Sequence, residues 1–179
     1  MLPESCAAHT SVSVIVPSAS RAAFLHLLLI ALLKLKVLRQ PHSEIIVSHA
    51  TTESLAERPQ LVARVRKGCS ECNVSKISQV DSVVSNEALG CAHRYAVGMR
   101  AVNHVLIHLD DDLIPMDAIM VALVQHVCAE PGFPHYDTGR ATPRPDFYGT
   151  TPRLCDSSGY QAYPKIPTWL FARRYFVLT

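Results

Sequence analysis

The chain has 179 residues, of which 49% are hydrophobic and 18% charged, and its formal net charge is +2. This length supports one domain with a single core, and the composition excludes a largely disordered chain. The basic residues are scattered without forming a block, so the charge pattern does not favour a nucleic-acid-binding protein.

The first part of the chain alternates strand-like and helix-like segments. Residues 11–17 (SVSVIVP) are β-branched and alternating, which predicts a first strand that ends at Pro17. Residues 21–38 are apolar on nearly every side, which predicts a buried helix. Residues 43–50 (SEIIVSHA) are predicted to form a second strand, and residues 51–68 a polar connection with room for a short helix.

The apolar run at residues 22–33 is the segment that most resembles a membrane anchor. It is shorter than the roughly 20 residues that a membrane-spanning helix needs, and Lys34 and Lys36 follow it at once. It also follows a predicted strand, whereas a signal peptide begins with a basic stretch. A buried helix is therefore predicted, with a signal-anchor as the alternative, so membrane association stays open.

The second part continues the same alternation. Residues 75–84 are predicted to form a third strand, and apolar positions from Asn86 to Met99 follow the spacing of an amphipathic helix. Residues 104–109 form the fourth predicted strand, and a helix is predicted from about Pro115 to Ala129. This order predicts an α/β fold with a mostly parallel sheet and helices on both faces.

The domain organisation follows from these elements. Residues 1–10 are interpreted as a tail and residues 11–179 as a single domain, within which residues 131–168 are rich in loops. The chain ends on an apolar, strand-like run, which we interpret as a fold that stops partway.

The six cysteines include one close pair, Cys69 and Cys72, in a segment predicted to be a loop. A zinc site completed by Cys91 and His93 is one alternative, but unligated thiols are favoured because a second close pair is missing. A redox-active CxxC pair is expected at the start of a helix that follows a strand, so the predicted loop position of this pair does not favour a redox role. The compartment stays open between the lumen of the ER or Golgi and the cytoplasm.

Three consecutive carboxylates, Asp110, Asp111 and Asp112, come directly after the fourth predicted strand. Ligand sites in parallel sheets gather beyond the carboxyl ends of the strands. If extended geometry continues, Asp110 and Asp112 point to one side and Asp111 to the other. Two carboxylates on one side form a hard-oxygen site for Mn²⁺ or Mg²⁺, which phosphate oxygens would complete. A solvated acidic turn that caps the next helix is the alternative.

Taken together, these segments resemble a nucleotide-sugar glycosyltransferase of the GT-A fold, of the family-two-like and exostosin-like kind. VSVIVPSASR (12–21) resembles the opening strand and polar turn of the family, and SEIIVSHATTES (43–54) resembles its second strand. NEALGCAHRYAVGMRAVNHVLIHLDDDLIP (86–115) resembles a helix that bears an arginine, followed by the strand with the Asp-x-Asp motif. DFYGTTPRLCDSSGY (146–160) with the final FVLT is similar to the stretch after that motif in exostosin-like transferases.

The resemblance implies a set of donor-binding residues. Asp110 would face the ribose or the donor sugar and would hold the metal ion together with Asp112. The other implied donor contacts are Pro17, Ser18 and Arg21 around the nucleotide, His49 at the end of the second strand, Arg94 near the diphosphate, and Asp111. Arg153 would reach the donor sugar. The family's late catalytic carboxylate lies past the end of the resemblance, so no residue is assigned as the catalytic base.

The resemblance implies a glycosyltransferase that depends on Mn²⁺ or Mg²⁺, with a UDP-sugar as the expected donor and a carbohydrate or glycoconjugate as the acceptor. The alternative is a truncated, catalytically silent domain that binds a nucleotide sugar or a protein partner. A nucleotidyltransferase ranks lower, because residues 17–21 (PSASR) lack the glycine-rich phosphate loop of that class. His108, close to the triplet, is expected to be a hydrogen-bonded core histidine, with a metal ligand as the alternative.

Overall fold

The computed structural model describes residues 10–19, 22–90, 93–111 and 113–129. It also describes the backbone of four short strands at 135–136, 139–141, 153–155 and 175–178. Four predicted strands are present with ends within three residues of those expected: β1 (Val12–Ser18), β2 (Glu44–His49), β3 (Ile77–Asp81) and β4 (Val105–Leu109).

These four strands form the parallel part of one sheet. β1 lies between β2 and β4, and β3 pairs with β2, all in parallel register. Two further strands extend the sheet beyond β4: β5 (His135–Tyr136) and β8 (Tyr175–Leu178). β8 is antiparallel to both β4 and β5, which gives the order β3-β2-β1-β4-β8-β5. β6 (Gly139–Ala141) and β7 (Arg153–Cys155) form a separate antiparallel pair.

In the described residues, five α-helices connect the strands: α1 (Ala22–Lys34), α2 (Thr52–Gly68), α3 (Val83–Leu89), α4 (His93–Gly98) and α5 (Asp117–Ala129). A short 3₁₀ turn at Lys36–Arg39 follows α1, so the predicted helix over 21–38 ends four residues early. The single helix expected from Asn86 is divided into α3 and α4. The division has a local cause, because Gly90 adopts a positive φ of 54° at the C-cap of α3.

The helix α2 is longer than the short helix for which the polar connection at residues 51–68 was predicted to have room. It has 17 residues, and its N-cap is Thr51, whose side chain accepts a hydrogen bond from the backbone N–H of Ser54. Its buried face is narrow, with Leu61 and Val65 as its buried aliphatic residues, and Pro59 lies inside it. A thin apolar stripe and an internal proline are weak signals of a helix, which explains why its length was underestimated.

The sheet is covered on both faces, as the run of apolar residues in β1 predicts. Val14 and Val16 face the main core, to which α1 and α5 also contribute buried side chains. Ile15 points the other way, into a smaller cluster with Ile46 and with Val97 of α4. The chain therefore has an α/β fold in which the central strands are buried between helices.

The apolar run at 22–33 lies in α1, whose Leu25, Leu29 and Leu32 are fully buried in the main core. Within the part of the chain that the structure describes, none of the helices has both the length and the apolar character needed to cross a membrane.

Cys69 and Cys72 form a disulfide directly after α2. The expectation of unligated thiols was therefore wrong for this pair. The zinc alternative was also wrong, because the two sulfurs joined in the disulfide cannot act as thiolate ligands. Because Cys69 is the C-cap of α2, the disulfide closes a tight turn at the end of that helix, at the opposite end from Thr51.

Candidate functional site

The carboxyl ends of β1, β2 and β4 meet at one edge of the sheet. Ser18 at the end of β1 lies beside His49 at the end of β2. The backbone N–H of Ala50 donates to the carbonyl of Ser18 at 2.8 Å, and the Thr51 hydroxyl donates to the carbonyl of Ala19, also at 2.8 Å. The loop after β1 is therefore fixed to the start of α2.

Asp110, the first residue after β4, is paired with an arginine. Its Oδ1 lies 2.9 Å from Nη2 of Arg94 on α4, with 18% of the Arg94 side chain and 31% of the Asp110 side chain exposed. Opposite charges at this distance and degree of burial attract more strongly than they do at an open surface. The carboxylate of Asp110 is therefore neutralised by the protein itself.

Asp111 reaches a different element. Its Oδ2 accepts a hydrogen bond from the backbone N–H of Ala19 at 3.3 Å, which connects the loop after β4 to the loop after β1. β4 ends at Leu109, so Asp110 and Asp111 both lie in the loop, and their contacts are with α4 and the β1 loop respectively. Asp112, the second predicted metal ligand, lies outside the described residues, so the structure leaves open whether it shares a side with Asp110.

His108 lies behind this ion pair in the core. It is 1% exposed, and its ring lies 5.4 Å from that of Tyr95, centroid to centroid. Burial, and to a smaller degree the nearby Arg94 guanidinium, lower the pKa of His108 to about 3. Its imidazole is therefore uncharged at neutral pH. The burial agrees with the expected core position, and the expected hydrogen bond stays a prediction.

His49 is wholly buried in a chain of polar side chains. Its Nδ1 lies 2.8 Å from the Ser54 hydroxyl, and its Nε2 lies 2.9 Å from Oε1 of Gln79. The Ser54 hydroxyl in turn lies 2.9 Å from that of Ser18, which is also fully buried. Both ring nitrogens of His49 are thus used inside the protein, and its contact with a nucleotide stays a prediction.

The structure brings five of the predicted site residues to one edge of the sheet: Ser18, His49, Arg94, Asp110 and Asp111. Pro17 lies one residue further back in β1, partly buried beside Ser48. Arg21 lies outside the described residues, as does the side chain of Arg153.

Sequence reasoning missed three polar side chains that organise this edge. Thr51 and Ser54 fasten the start of α2 to β1, and the side-chain amide of Asn86 donates to the carbonyl of Ala50 at 3.0 Å. The signal for the first two was present in the sequence. A threonine followed three residues later by a serine, directly after a strand, is a plausible start for a helix.

The donor set at this edge is compatible with a hard divalent cation. Asp110 and Asp111 supply carboxylate oxygens, and both side chains are partly exposed. Over the described ranges, the one group of three candidate ligands within 4.8 Å of one another is Cys69, Glu71 and Cys72, and its two sulfurs are joined in the disulfide. A cation at the aspartates would therefore need further oxygen ligands, such as those of a phosphate.

No protein-family model matches this chain, and a comparison with curated proteins finds no match. Among solved structures, the chain is similar to the mannosyltransferase PcManGT from Pyrobaculum calidifontis, described in complex with GDP-Man and Mn²⁺. The TM-score is 0.51 at 21% sequence identity, and the match covers 70% of this chain and 34% of that one. The likeness confirms the α/β fold, while this chain spans about a third of the length of the neighbour.

Proposed function

We propose that this chain is the donor-binding part of a GT-A glycosyltransferase, which transfers a sugar from a nucleotide-diphosphate sugar to a carbohydrate or glycoconjugate acceptor. The observation that carries the proposal is the position of Asp110 and Asp111. They follow the central strand β4 at the carboxyl edge, one connected to the β1 loop and the other to Arg94. The fold similarity to an enzyme described with GDP-Man and Mn²⁺ supports it.

In this proposal the aspartates hold a divalent cation, Mn²⁺ or Mg²⁺. Asp110 and Asp112 are the proposed ligands, and Asp111 keeps the loop after β4 against the loop after β1. The bound cation would act as a Lewis acid that stabilises negative charge on the departing nucleoside diphosphate. The Arg94 guanidinium adds a second positive charge at the same edge.

The nucleotide would lie over the ends of β1 and β2. Ser18 and His49 form the floor there, because their side chains are buried and bonded to one another through Ser54. The resemblance in sequence favours UDP, whereas the structural neighbour was described with a guanosine nucleotide. Both bases therefore belong in the test.

Calorimetry with UDP and GDP, each with and without Mn²⁺, tests the proposal. We expect one of the two nucleotides to bind only with the metal ion. Asp112→Asn should weaken that binding at least about tenfold, a loss of roughly 1.4 kcal/mol. Glu71→Gln is the matched control, because Glu71 is an exposed carboxylate at the far end of α2. Metal-independent binding, or binding of neither nucleotide, contradicts the proposal.

A second candidate is a catalytically silent domain that binds a nucleotide sugar or a protein partner. It is favoured by the internal contacts of the two described aspartates, since Asp110 is paired with Arg94 and Asp111 with the Ala19 N–H. A sugar-transfer assay with UDP- and GDP-sugars and varied acceptors separates the two candidates. Turnover above the buffer control that is lost in Asp112→Asn identifies the enzyme.

A further inference from the structure

We propose that Arg94 is an exchangeable counter-ion: it neutralises Asp110 in the ligand-free protein and transfers to the diphosphate when a metal–nucleotide complex binds. This inference rests on the proposed function and adds to it a molecular reason why the metal ion and the nucleotide bind together. It makes Arg94 a donor-binding residue whose partner differs between the free and bound states.

The first step of the argument is the burial of the ion pair. The Arg94 side chain is 18% exposed, and its Nε is buried without a hydrogen-bond partner in the described part of the chain. The contact to Asp110 at 2.9 Å is thus the main compensation for a guanidinium that has lost most of its water. A buried charge that loses its partner is strongly destabilising.

The second step concerns the surroundings of Arg94. The adjacent Tyr95 places its ring 5.4 Å from that of His108, tilted by 54°, and neither side chain offers a carboxylate to the guanidinium. His93, which precedes Arg94, is also buried, and burial lowers its pKa. Asp111 is directed to the Ala19 N–H. Among the described residues, Asp110 is the one carboxylate within 4 Å of the Arg94 guanidinium, so a cation that took Asp110 would remove this ion pair.

The third step follows from charge balance. A free Mn²⁺ ion must displace Arg94 from Asp110 and leave the guanidinium uncompensated, so the metal alone binds weakly. A nucleoside diphosphate brings its own negative charge to the same edge, and Arg94 can pair with it bidentately as the metal ion takes Asp110. The metal ion and the nucleotide therefore favour one another through Arg94, beyond their direct contact.

This exchange predicts changes of opposite sign when Arg94 is neutralised. In Arg94→Met, Asp110 has no counter-ion, so Mn²⁺ alone should bind at least about tenfold tighter than to the wild type. The same substitution removes the diphosphate contact, so UDP or GDP with saturating Mn²⁺ should bind at least about tenfold more weakly. A residue that served only as a phosphate ligand would change the second affinity and leave the first unaltered.

The experiment is calorimetry of MnCl₂ alone, and of UDP and GDP at saturating Mn²⁺, on the full chain. Arg94→Gln is a second neutral variant in case Arg94→Met folds poorly, and Arg94→Lys, which retains the charge, should keep the weak affinity for free Mn²⁺. Arg64→Met is the matched control, since it breaks an arginine–carboxylate pair with Glu57 on α2 (2.5 Å) away from the site.

The outcomes separate this inference from the proposed function. If the wild type binds nucleotide with Mn²⁺ but both neutral variants have unchanged or weaker affinity for free Mn²⁺, the exchange is overturned and the proposed function stands. If the wild type binds neither nucleotide with Mn²⁺, the proposed function is contradicted and the exchange is overturned with it. Tighter Mn²⁺ binding in Arg94→Met and Arg94→Gln, but not in Arg64→Met, supports the exchange.

Discussion

The imidazole of His49 is held by residues from two other elements at the end of β2. Ser54 on α2 and Gln79 on β3 form hydrogen bonds with its two nitrogens. The Ser54 hydroxyl also donates a hydrogen bond to the hydroxyl of Ser18 on β1. Because the Ser54 hydroxyl donates its single hydrogen to the hydroxyl of Ser18, its oxygen is left to accept from Nδ1 of His49. One hydroxyl thus couples α2 to two neighbouring strands below the site.

Removing that hydroxyl should be costly. We expect Ser54→Ala to lower the free energy of unfolding by about 1–3 kcal/mol, because Nδ1 of His49 and the hydroxyl of Ser18 each lose a buried hydrogen-bond partner. Urea denaturation measures the change. Ser70→Ala is the control, since Ser70 is an exposed serine after the same helix and should change stability by less than about 0.5 kcal/mol. Equal effects of the two substitutions would show that the buried chain of hydroxyls contributes little.

At the scale of elements, Thr51, the N-cap of α2, makes two hydrogen bonds through its side chain. The Thr51 side chain caps the helix by accepting from the Ser54 N–H at 3.2 Å, and it donates to the carbonyl of Ala19 at 2.8 Å. The second contact fixes the loop that also receives Asp111. The start of α2 therefore helps to position a loop that belongs to β1.

Thr51→Ala should remove both contacts. We expect a loss of about 1–2 kcal/mol of unfolding free energy, of which the cap alone contributes typically about 1 kcal/mol. Thr51→Ser retains the hydroxyl and should recover most of the loss in urea denaturation. The neighbouring Thr52→Ala, at an exposed position, is the control. If Thr51→Ser is as unstable as Thr51→Ala, packing of the methyl group and not the hydroxyl explains the effect.

At the scale of the whole molecule, buried histidines should make stability depend on pH. Burial lowers the pKa of His108 from its usual 6.5 to about 3, and burial also lowers that of His93. Between pH 3 and pH 6.5, the His108 side chain binds more protons in the unfolded chain than in the folded one. Stability is therefore complete above about pH 6.5 and falls as the pH drops toward 3, by about 1.4 kcal/mol per pH unit for His108.

Urea denaturation between pH 4 and pH 8 measures this dependence. His108→Phe keeps an aromatic ring beside Tyr95 but cannot be protonated, so its stability should fall less steeply below pH 6.5 than that of the wild type. Contributions of carboxylates and of His93 cancel in the difference between the two proteins. Parallel curves would mean that His108 takes up no extra proton on unfolding.

Much of the fold follows from the pattern of apolar residues, and the failures have physical causes. The four parallel strands could be placed because β-branched runs such as 12–16 are buried on both faces. The helix α2 could not be given its length, because its buried apolar face is narrow and Pro59 lies inside it. At the site, residue types placed Arg94 and Asp110 in one region, but their pairing depends on how α4 lies against β4. The burial of His49 follows from the central position of β2, which spacing alone does not give.

The antiparallel strand β8 has a consequence for the time course of folding. β1, β2 and β3 are joined by crossovers over residues 19–43 and 50–76, whereas Leu106 of β4 pairs with Leu178 across a far longer stretch of chain. The entropic cost of closing a loop rises with its length, and pairings between distant residues form slowly. We expect the half of the sheet made of β1, β2 and β3 to form first, while β4 keeps an unpaired edge that can associate with other chains until β8 docks.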